Sequence, residues 1–334
     1  MKIAIYGAGA IGGWLGVHLA RAGCQVSMVA RGASLQALQH SGLTLYSGPG
    51  LQGSITVPVR ASAEPAALGV QDLVIVSVKA HAMAAVAQAM GPLLGPHTMV
   101  LTAMNGVPWW FFEGFGGAWQ GTRLQSVDAG GLIARAIAPE RIVGCVVHAS
   151  CSVPQPGCVH HHFGNGLILG EPAGGSSERT QALADLLTRA GFAASVSPQI
   201  QSDVWYKLWG NMTVNPVSAL TGATTDLILA DPLVKAFISS VMLEAKEIGS
   251  RIGIPIMQQP EDRHQVTRKL GAFKTSMLQD AQAGKPLELD ALVTVVHELG
   301  QFTGVVTPFT DALLGLARLY AQVHGLQAGA GGPA

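Results

Sequence analysis

Residues 2–12 read Lys2-Ile3-Ala4-Ile5-Tyr6-Gly7-Ala8-Gly9-Ala10-Ile11-Gly12, and the residues after them continue with helical spacing to about 22. A short apolar run that ends in Gly-x-Gly-x-x-Gly and opens a helix predicts a buried strand, a tight turn and a helix N-terminus. Each glycine has a separate physical task in such a turn. Gly7 permits the sharp change of direction, Gly9 lets a phosphate come close to the backbone, and Gly12 lets the helix lie against the strand. Ala8, Ala10 and Ile11 complete a loop whose free N–H groups and helix dipole suit a pyrophosphate. In a chain with 42 glycines the pattern also arises by chance, so the strand before it and the helix after it carry the argument for a dinucleotide site.

Working outward, residues 25–30, 72–78 and 98–103 read as further strands, with an Ala-rich helix at about 80–91. Asp72-Leu-Val-Ile-Val-Ser-Val78 carries an apolar run bounded by polar residues, as expected of a strand covered on both faces. The β-α-β alternation predicts an α/β domain with a Rossmann-type, doubly wound parallel sheet. Residues 143–170 carry two more β-type runs around a Pro/Gly turn. Beyond about 198 the spacing becomes helical, over 231–253, 261–283, 287–303 and 307–324, which predicts a C-terminal all-helical domain. The expected organisation is an NADP-binding Rossmann-type domain at 1–198, a helical substrate or dimerisation domain at 199–325 and a disordered tail at 326–334.

Composition narrows the function. The 334 residues suit two domains; apolar residues make up 49% and charged residues 12%, with twenty basic side chains balancing twenty acidic ones. A net charge of zero excludes nucleic acid or an anionic membrane surface as the main partner. No apolar run reaches the ~18–20 residues of a membrane span, and four cysteines do not make a disulfide scaffold, so a soluble cytoplasmic protein is expected. The sparse charge is informative. No Asp or Glu precedes Glu64, so the carboxylate that usually holds an NAD ribose is missing after the second strand. Arg31 stands there instead, which suits a 2′-phosphate and favours NADP(H). The alternative is a solvated loop residue.

Lys79 follows the strand at 72–78 and Asn105-Gly106 the strand at 98–103, both at the ligand-facing ends of a parallel sheet. Further on, Lys207, Asn211 and Asn215 are spaced four apart and share one face of an otherwise apolar helix. Buried polar groups need partners. A small polar substrate is one answer, with the lysine protonating a carbonyl oxygen; a Lys–carboxylate bridge is the other. Ser276 lies in Thr275-Ser-Met-Leu-Gln-Asp280. Glu288 falls just after Pro286, where a helix-start charge is the plain reading.

Together these motifs resemble the ketopantoate reductase (2-dehydropantoate 2-reductase) family. The resemblance rests on the glycine loop, Val78-Lys79-Ala80, Asn105-Gly106, Lys207-Leu-x-x-Asn211-x-x-x-Asn215-Pro216, Ser276-Met-Leu-Gln-Asp280 and Glu288-x-Asp290. It implies a Rossmann domain followed by a helical domain, and NADPH-dependent reduction of ketopantoate to pantoate for pantothenate and coenzyme A synthesis. By position, it makes Lys207 the general acid and Glu288 the group that holds the substrate hydroxyl and orients the lysine. Asn211, Asn215 and Ser276 would bind the substrate, and Asn105 would sit by the nicotinamide and the reacting carbonyl. Lys79 and Arg31 would contact the cofactor. A homodimer is a family-level expectation.

Two departures bear on the substrate. The family often has Asn-Gly where this chain has Val293-Thr294. Six of nineteen aromatics also crowd into 109–119, as Trp109, Trp110, Phe111, Phe112, Phe115 and Trp119. If they line a pocket, the substrate is a bulkier or aromatic 2-keto acid; otherwise they form a flap or dimer patch. A non-enzymatic NADPH-sensing protein is the rival from another class. Cys145, Cys151, Cys158 and His160-His161-His162 match no zinc spacing, and alternation along a strand keeps three consecutive histidines from one ion. No metal site is expected.

Overall fold

The computed structural model describes residues 1–48 and 53–328. They form two compact units. One comprises Met1–Met104, Trp110–Thr122 and Gly130–Ile200; the other comprises Asn105–Trp109, Arg123–Ala129 and the chain from Gln201 onward. Two short segments of the first half therefore cluster with the helical second half.

The first unit runs β1 (Lys2–Tyr6), α1 (Ala10–Arg21), β2 (Gln25–Val29), α2 (Gly32–Ser41), β3 (Leu43–Ser47), β4 (Ser54–Val57), β5 (Arg60–Ser62), β6 (Gln71–Val76), α3 (Met83–Ala89), β7 (Leu94–Thr102), α4 (Leu132–Ala136), β8 (Ile142–Gln155), β9 (Cys158–Gly170), α5 (Glu178–Arg189) and β10 (Ala193–Val196). The strands make one sheet in the order β4-β3-β9-β8-β7-β6-β1-β2-β5, with β10 added to β9. The α/β class is as read from the sequence, but the sheet is mixed rather than parallel throughout. Only Pro156 and Gly157 separate the paired residues Gln155 and Cys158, and a two-residue connection can join only antiparallel neighbours. β3 and β4 are antiparallel as well. One core cluster joins Ile3 and Ile5 of β1, Trp14 and Leu15 of α1 and Leu183 and Leu187 of α5. On β9, His160 and His162 share a face with ring centroids 4.3 Å apart, while His161 stacks on Trp14.

The second unit runs α6 (Ile200–Thr221), α7 (Thr225–Ala230), α8 (Pro232–Arg251), α9 (Pro260–Arg268), α10 (Ser276–Gln282), a π-turn at Asp290–Thr294, α11 (Val295–Thr303) and α12 (Pro308–Val323). Asp231 caps α8 by accepting from the N–H groups of Leu233 and Val234, with Pro232 at the first helical position. Trp209 Nε1 donates to Met242 O at 2.7 Å and ties α6 to α8.

Three expectations about this half are corrected. The helix expected over 261–283 is two helices, because Gly271 and Phe273 are pinned by hydrogen bonds with Thr225. The helix expected from Pro286 begins after Glu288 and opens with the π-turn. The expected tail at 326–334 starts with a packed residue: Leu326 is buried and its carbonyl accepts from Leu287 N–H. Residues 329–334 lie outside the described residues. Among the described residues, no helix is long and apolar enough to cross a membrane.

Candidate active site

In the first unit, each glycine of the 7–12 loop has its own surroundings. Gly7 has φ +109°, and a Cβ there would stand 2.9 Å from Val78 and 3.0 Å from Ser77 O. At Gly12 a Cβ would lie 2.0 Å from Gly7 O and 2.4 Å from Ser77 Oγ, so α1 can close on β1 and β6 only without one. At Gly9 a Cβ would meet nothing within 4 Å. Gly9 is the N-cap of α1, without a side-chain cap and with no acid in the first turn. The open side of the loop thus presents unshielded backbone N–H groups and positive dipole, which fits a dinucleotide pyrophosphate. Ser77 Oγ donates to Gly7 O at 3.0 Å and fastens the loop to the end of β6. Lys79 follows two residues later, as N-cap of the short 3₁₀ turn Ala80–Ala82.

Arg31 is the N-cap of α2 and is exposed. The fold adds a neighbour that the linear reading leaves out. β5 pairs with β2 so that Ser62 lies opposite Val29, and Ser62 O accepts from Ala30 N–H. Glu64 follows at once, and both Arg31 and Glu64 act electrostatically on the Tyr6 hydroxyl, whose pKa is raised, above all by burial. A carboxylate does therefore reach the end of β2, from the neighbouring strand.

In the second unit, α6 carries Lys207, Asn211 and Asn215 on one face. Lys207 Nζ donates to Asn105 Oδ1 at 2.8 Å across 102 residues of sequence. This brings two of the expected site residues together and supplies an amide partner for the ammonium. Asn215 is buried, directly before Pro216, which stands inside the helix. Glu288 is only 7% exposed, so it is not the solvated helix-start charge of the plain reading. Ser276 is exposed in the first turn of α10, whose cap is Thr275 Oγ1 accepting from Leu278 N–H.

The two departures acquire structural roles. Val293 is fully buried, and Thr294 Oγ1 donates to Asp290 Oδ1 at 3.1 Å, so both serve the π-turn. Trp109, Trp110, Phe111 and Phe112 are buried rather than forming an exposed flap. Trp110 Nε1 donates to Thr102 Oγ1, and Phe112 packs on Phe111, Phe115 and Trp119. Phe111, Phe112, Phe115 and Trp119 are used in packing against one another.

Two further features of the second unit escape the sequence reading. Arg263 of α9 lies over the Tyr206 ring, 5.4 Å from its centroid, and across Gly210 of α6, where a Cβ would meet its Nε at 2.5 Å. Burial holds the Arg263 guanidinium pKa down. The only sequence signal was a glycine inside an otherwise bulky helix. Glu298 of α11 accepts from Gln125 N–H, Ser126 N–H and Ser126 Oγ–H; no local pattern announces a clamp across 172 residues.

Comparison with known proteins identifies a family. The family model described as ketopantoate reductase PanE/ApbA matches residues 3–109, and its C-terminal counterpart matches 199–321. A 2-dehydropantoate 2-reductase of Mesorhizobium japonicum is 46% identical over 327 residues, 97% of this chain and 99% of that protein. A crystal structure from Ralstonia solanacearum MolK2, provisionally named a ketopantoate reductase, is 57% identical with a TM-score of 0.93, covering 97% of this chain and 99% of that one. The 2-dehydropantoate 2-reductase of Geobacter metallireducens GS-15 is 28% identical with a TM-score of 0.83, covering 96% and 100%. With both family models matched in order and a relative this similar over nearly its full length, the chain belongs to the ketopantoate reductase family.

Proposed function

We propose that the protein reduces the 2-keto group of 2-dehydropantoate to give pantoate, using NADPH, with Lys207 as the general acid. The observation that carries this reading is the Lys207–Asn105 bond, in a chain 46% identical to a 2-dehydropantoate 2-reductase. The bound nicotinamide supplies a hydride to the keto carbon. As charge builds on the keto oxygen, Lys207 Nζ gives it a proton; an N–H bond breaks, an O–H bond forms, and the lysine is left neutral. Asn105 Oδ1 is a neutral acceptor, so it aims the ammonium without competing for the proton as a carboxylate would. Glu288 holds the substrate hydroxyl and helps orient the lysine. Asn211, Asn215 and Ser276 bind the substrate carboxylate and hydroxyl groups.

In the first unit, Gly7–Gly12 receive the pyrophosphate, Lys79 contacts the cofactor and Arg31 takes the 2′-phosphate. Support for NADPH over NADH is the exposed guanidinium after β2. The nearby Glu64 is the group that would favour the unphosphorylated ribose. The assay is NADPH oxidation with 2-dehydropantoate and identification of pantoate as product. Turnover of aromatic 2-keto acids in place of 2-dehydropantoate would overturn the substrate. Cofactor binding without oxidation of NADPH across a keto-acid panel would overturn the enzyme.

We place a homodimer contact on α12, where Phe309, Ala312, Leu316, Leu319 and Val323 form an exposed apolar stripe at alternating spacings of three and four. Leu316→Glu with Leu319→Glu should leave a monomer by sedimentation, and an unchanged mass would move the contact elsewhere. The four cysteines are free thiols, and burial pushes the Cys151 thiol pKa up to about 12; we propose a cytoplasmic enzyme.

A further inference from the structure

Asn105 leaves β7 within three residues, yet it belongs with the helical unit. The contact that holds it there is made by the next two residues. Val107 N–H donates to Ala291 O at 2.9 Å. Gly106 has φ +82°, and a Cβ on it would stand 2.4 Å from Ala291 O and 2.7 Å from Ala291 Cβ. The backbone at 106 is thus seated directly on residue 291, with no room for a side chain between. Ala291 is itself buried and lies in the π-turn. Ala291 O accepts from outside the helix at this π-turn, and single π-turns inside helices are frequent at functional sites. The other short segment of the helical unit, Arg123–Ala129, is held separately, by Glu298 on Gln125 and Ser126.

We propose that Ala291 is a positioning residue for the reduction: the π-turn mounts Asn105 on the helical unit and thereby fixes the acceptor that orients the Lys207 ammonium. The inference rests on Lys207 as proton donor and Asn105 as its guide. A small residue at 291 is then a requirement of catalysis as well as of packing. A larger side chain there pushes Gly106 outward and takes Asn105 Oδ1 with it, and misplacement by about 1 Å costs on the order of 10²-fold in rate.

The test is a double-mutant cycle on the full-length enzyme, with kcat, the KM for 2-dehydropantoate, NADPH affinity and Tm measured for each variant. Ala291→Val and Gly106→Ala should each lower kcat by roughly 10²-fold, with NADPH affinity unchanged. Ala291→Ser, which adds one atom, should give a smaller fall in the same direction and keeps the test open if a bulkier variant does not fold. In the Asn105→Ala background, the changes at 291 and 106 should have no further effect on kcat, because the group they position is gone. Falls that multiply with Asn105→Ala would make residue 291 merely structural and overturn the inference, leaving Lys207 and Asn105 in their roles. Wild-type kcat in Asn105→Ala would remove the guide itself, and with it both the inference and that part of the functional reading.

Discussion

The glycine loop at 7–12 and the lysine site on α6 solve different problems, and they differ in how they are built. The loop recognises phosphate with backbone. Six contiguous residues suffice, and what matters is where a Cβ would be: against Gly7 O at Gly12, and in open space at Gly9. The lysine site works with side chains. Its central bond joins residues 102 apart, and its partner residue is seated on a turn 186 positions further along. A backbone site can tolerate changes in its side chains but not in its shape. A side-chain site loses its chemistry with one group, whatever its shape.

The largest effect should follow from that last point. Lys207→Ala removes the proton donor without touching the first unit. The kcat should fall by about 10²–10⁴, the range of general acid catalysis, while NADPH affinity and Tm stay near wild type. Near-normal turnover would mean that water or another group supplies the proton. Paired substitutions in the loop give the converse. Gly12→Ala forces a methyl group against backbone and should destabilise the first unit by about 1–3 kcal/mol, with cofactor binding lost as α1 is pushed off the strand. Gly9→Ala should leave Tm unchanged and weaken NADPH by roughly tenfold, as loss of a charge-assisted hydrogen bond would. Equal Tm losses at the two positions would show that open space at Gly9 is not the phosphate seat.

The same contrast decides what could be read from sequence. The loop, β1, β6 and α6 were legible because each is local: a run, a turn or a four-residue spacing. The mixed sheet turns on the two-residue connection between Gln155 and Cys158, which a Pro/Gly turn marks without naming the direction of the strands it joins. The elements α2, β3–β5 and β10 are short or weakly periodic; α5 is neither, since Ser177 and Thr180 form a capping box and Leu183, Ala184 and Leu187 share its buried face, a local signal that the sequence reading passes over. The burial of Glu288 and the use of the 109–119 aromatics in packing depend on tertiary neighbours. Glu64 marks the limit most clearly. Counting acids along the chain placed it far from Arg31, whereas pairing of β5 with β2 carries it to the same strand end.

That neighbour makes the cofactor preference the next point to break. Arg31→Ala should weaken NADPH by about 10–100-fold, the value of one or two hydrogen bonds to a charged group, and change NADH little. Glu64→Gln should instead weaken NADH, by a smaller factor, and leave NADPH little changed. If Arg31→Ala weakens both cofactors alike, the guanidinium supports the loop rather than reading the 2′-phosphate.

The smallest effect treats the two units alike. Each contains a histidine whose pKa burial holds below its ordinary value: His18 in the first, with Nδ1 2.9 Å from Ala190 O, and His264 in the second, with Nε2 2.9 Å from Ser239 Oγ. A depressed histidine pKa means that the unfolded chain binds the proton first. Stability is therefore full above the ordinary value near 6.5 and declines as pH falls through it toward the folded value. The Glu171 carboxyl, which burial would raise but Arg179 and Ser177 together hold below its ordinary pKa, matters only at lower pH. Between pH 7.5 and 5.5, Tm should fall by about 2–4 °C, and His264→Gln should remove part of that slope. A Tm that is flat across this range would mean that both histidines take up protons in the folded protein as readily as in the unfolded chain.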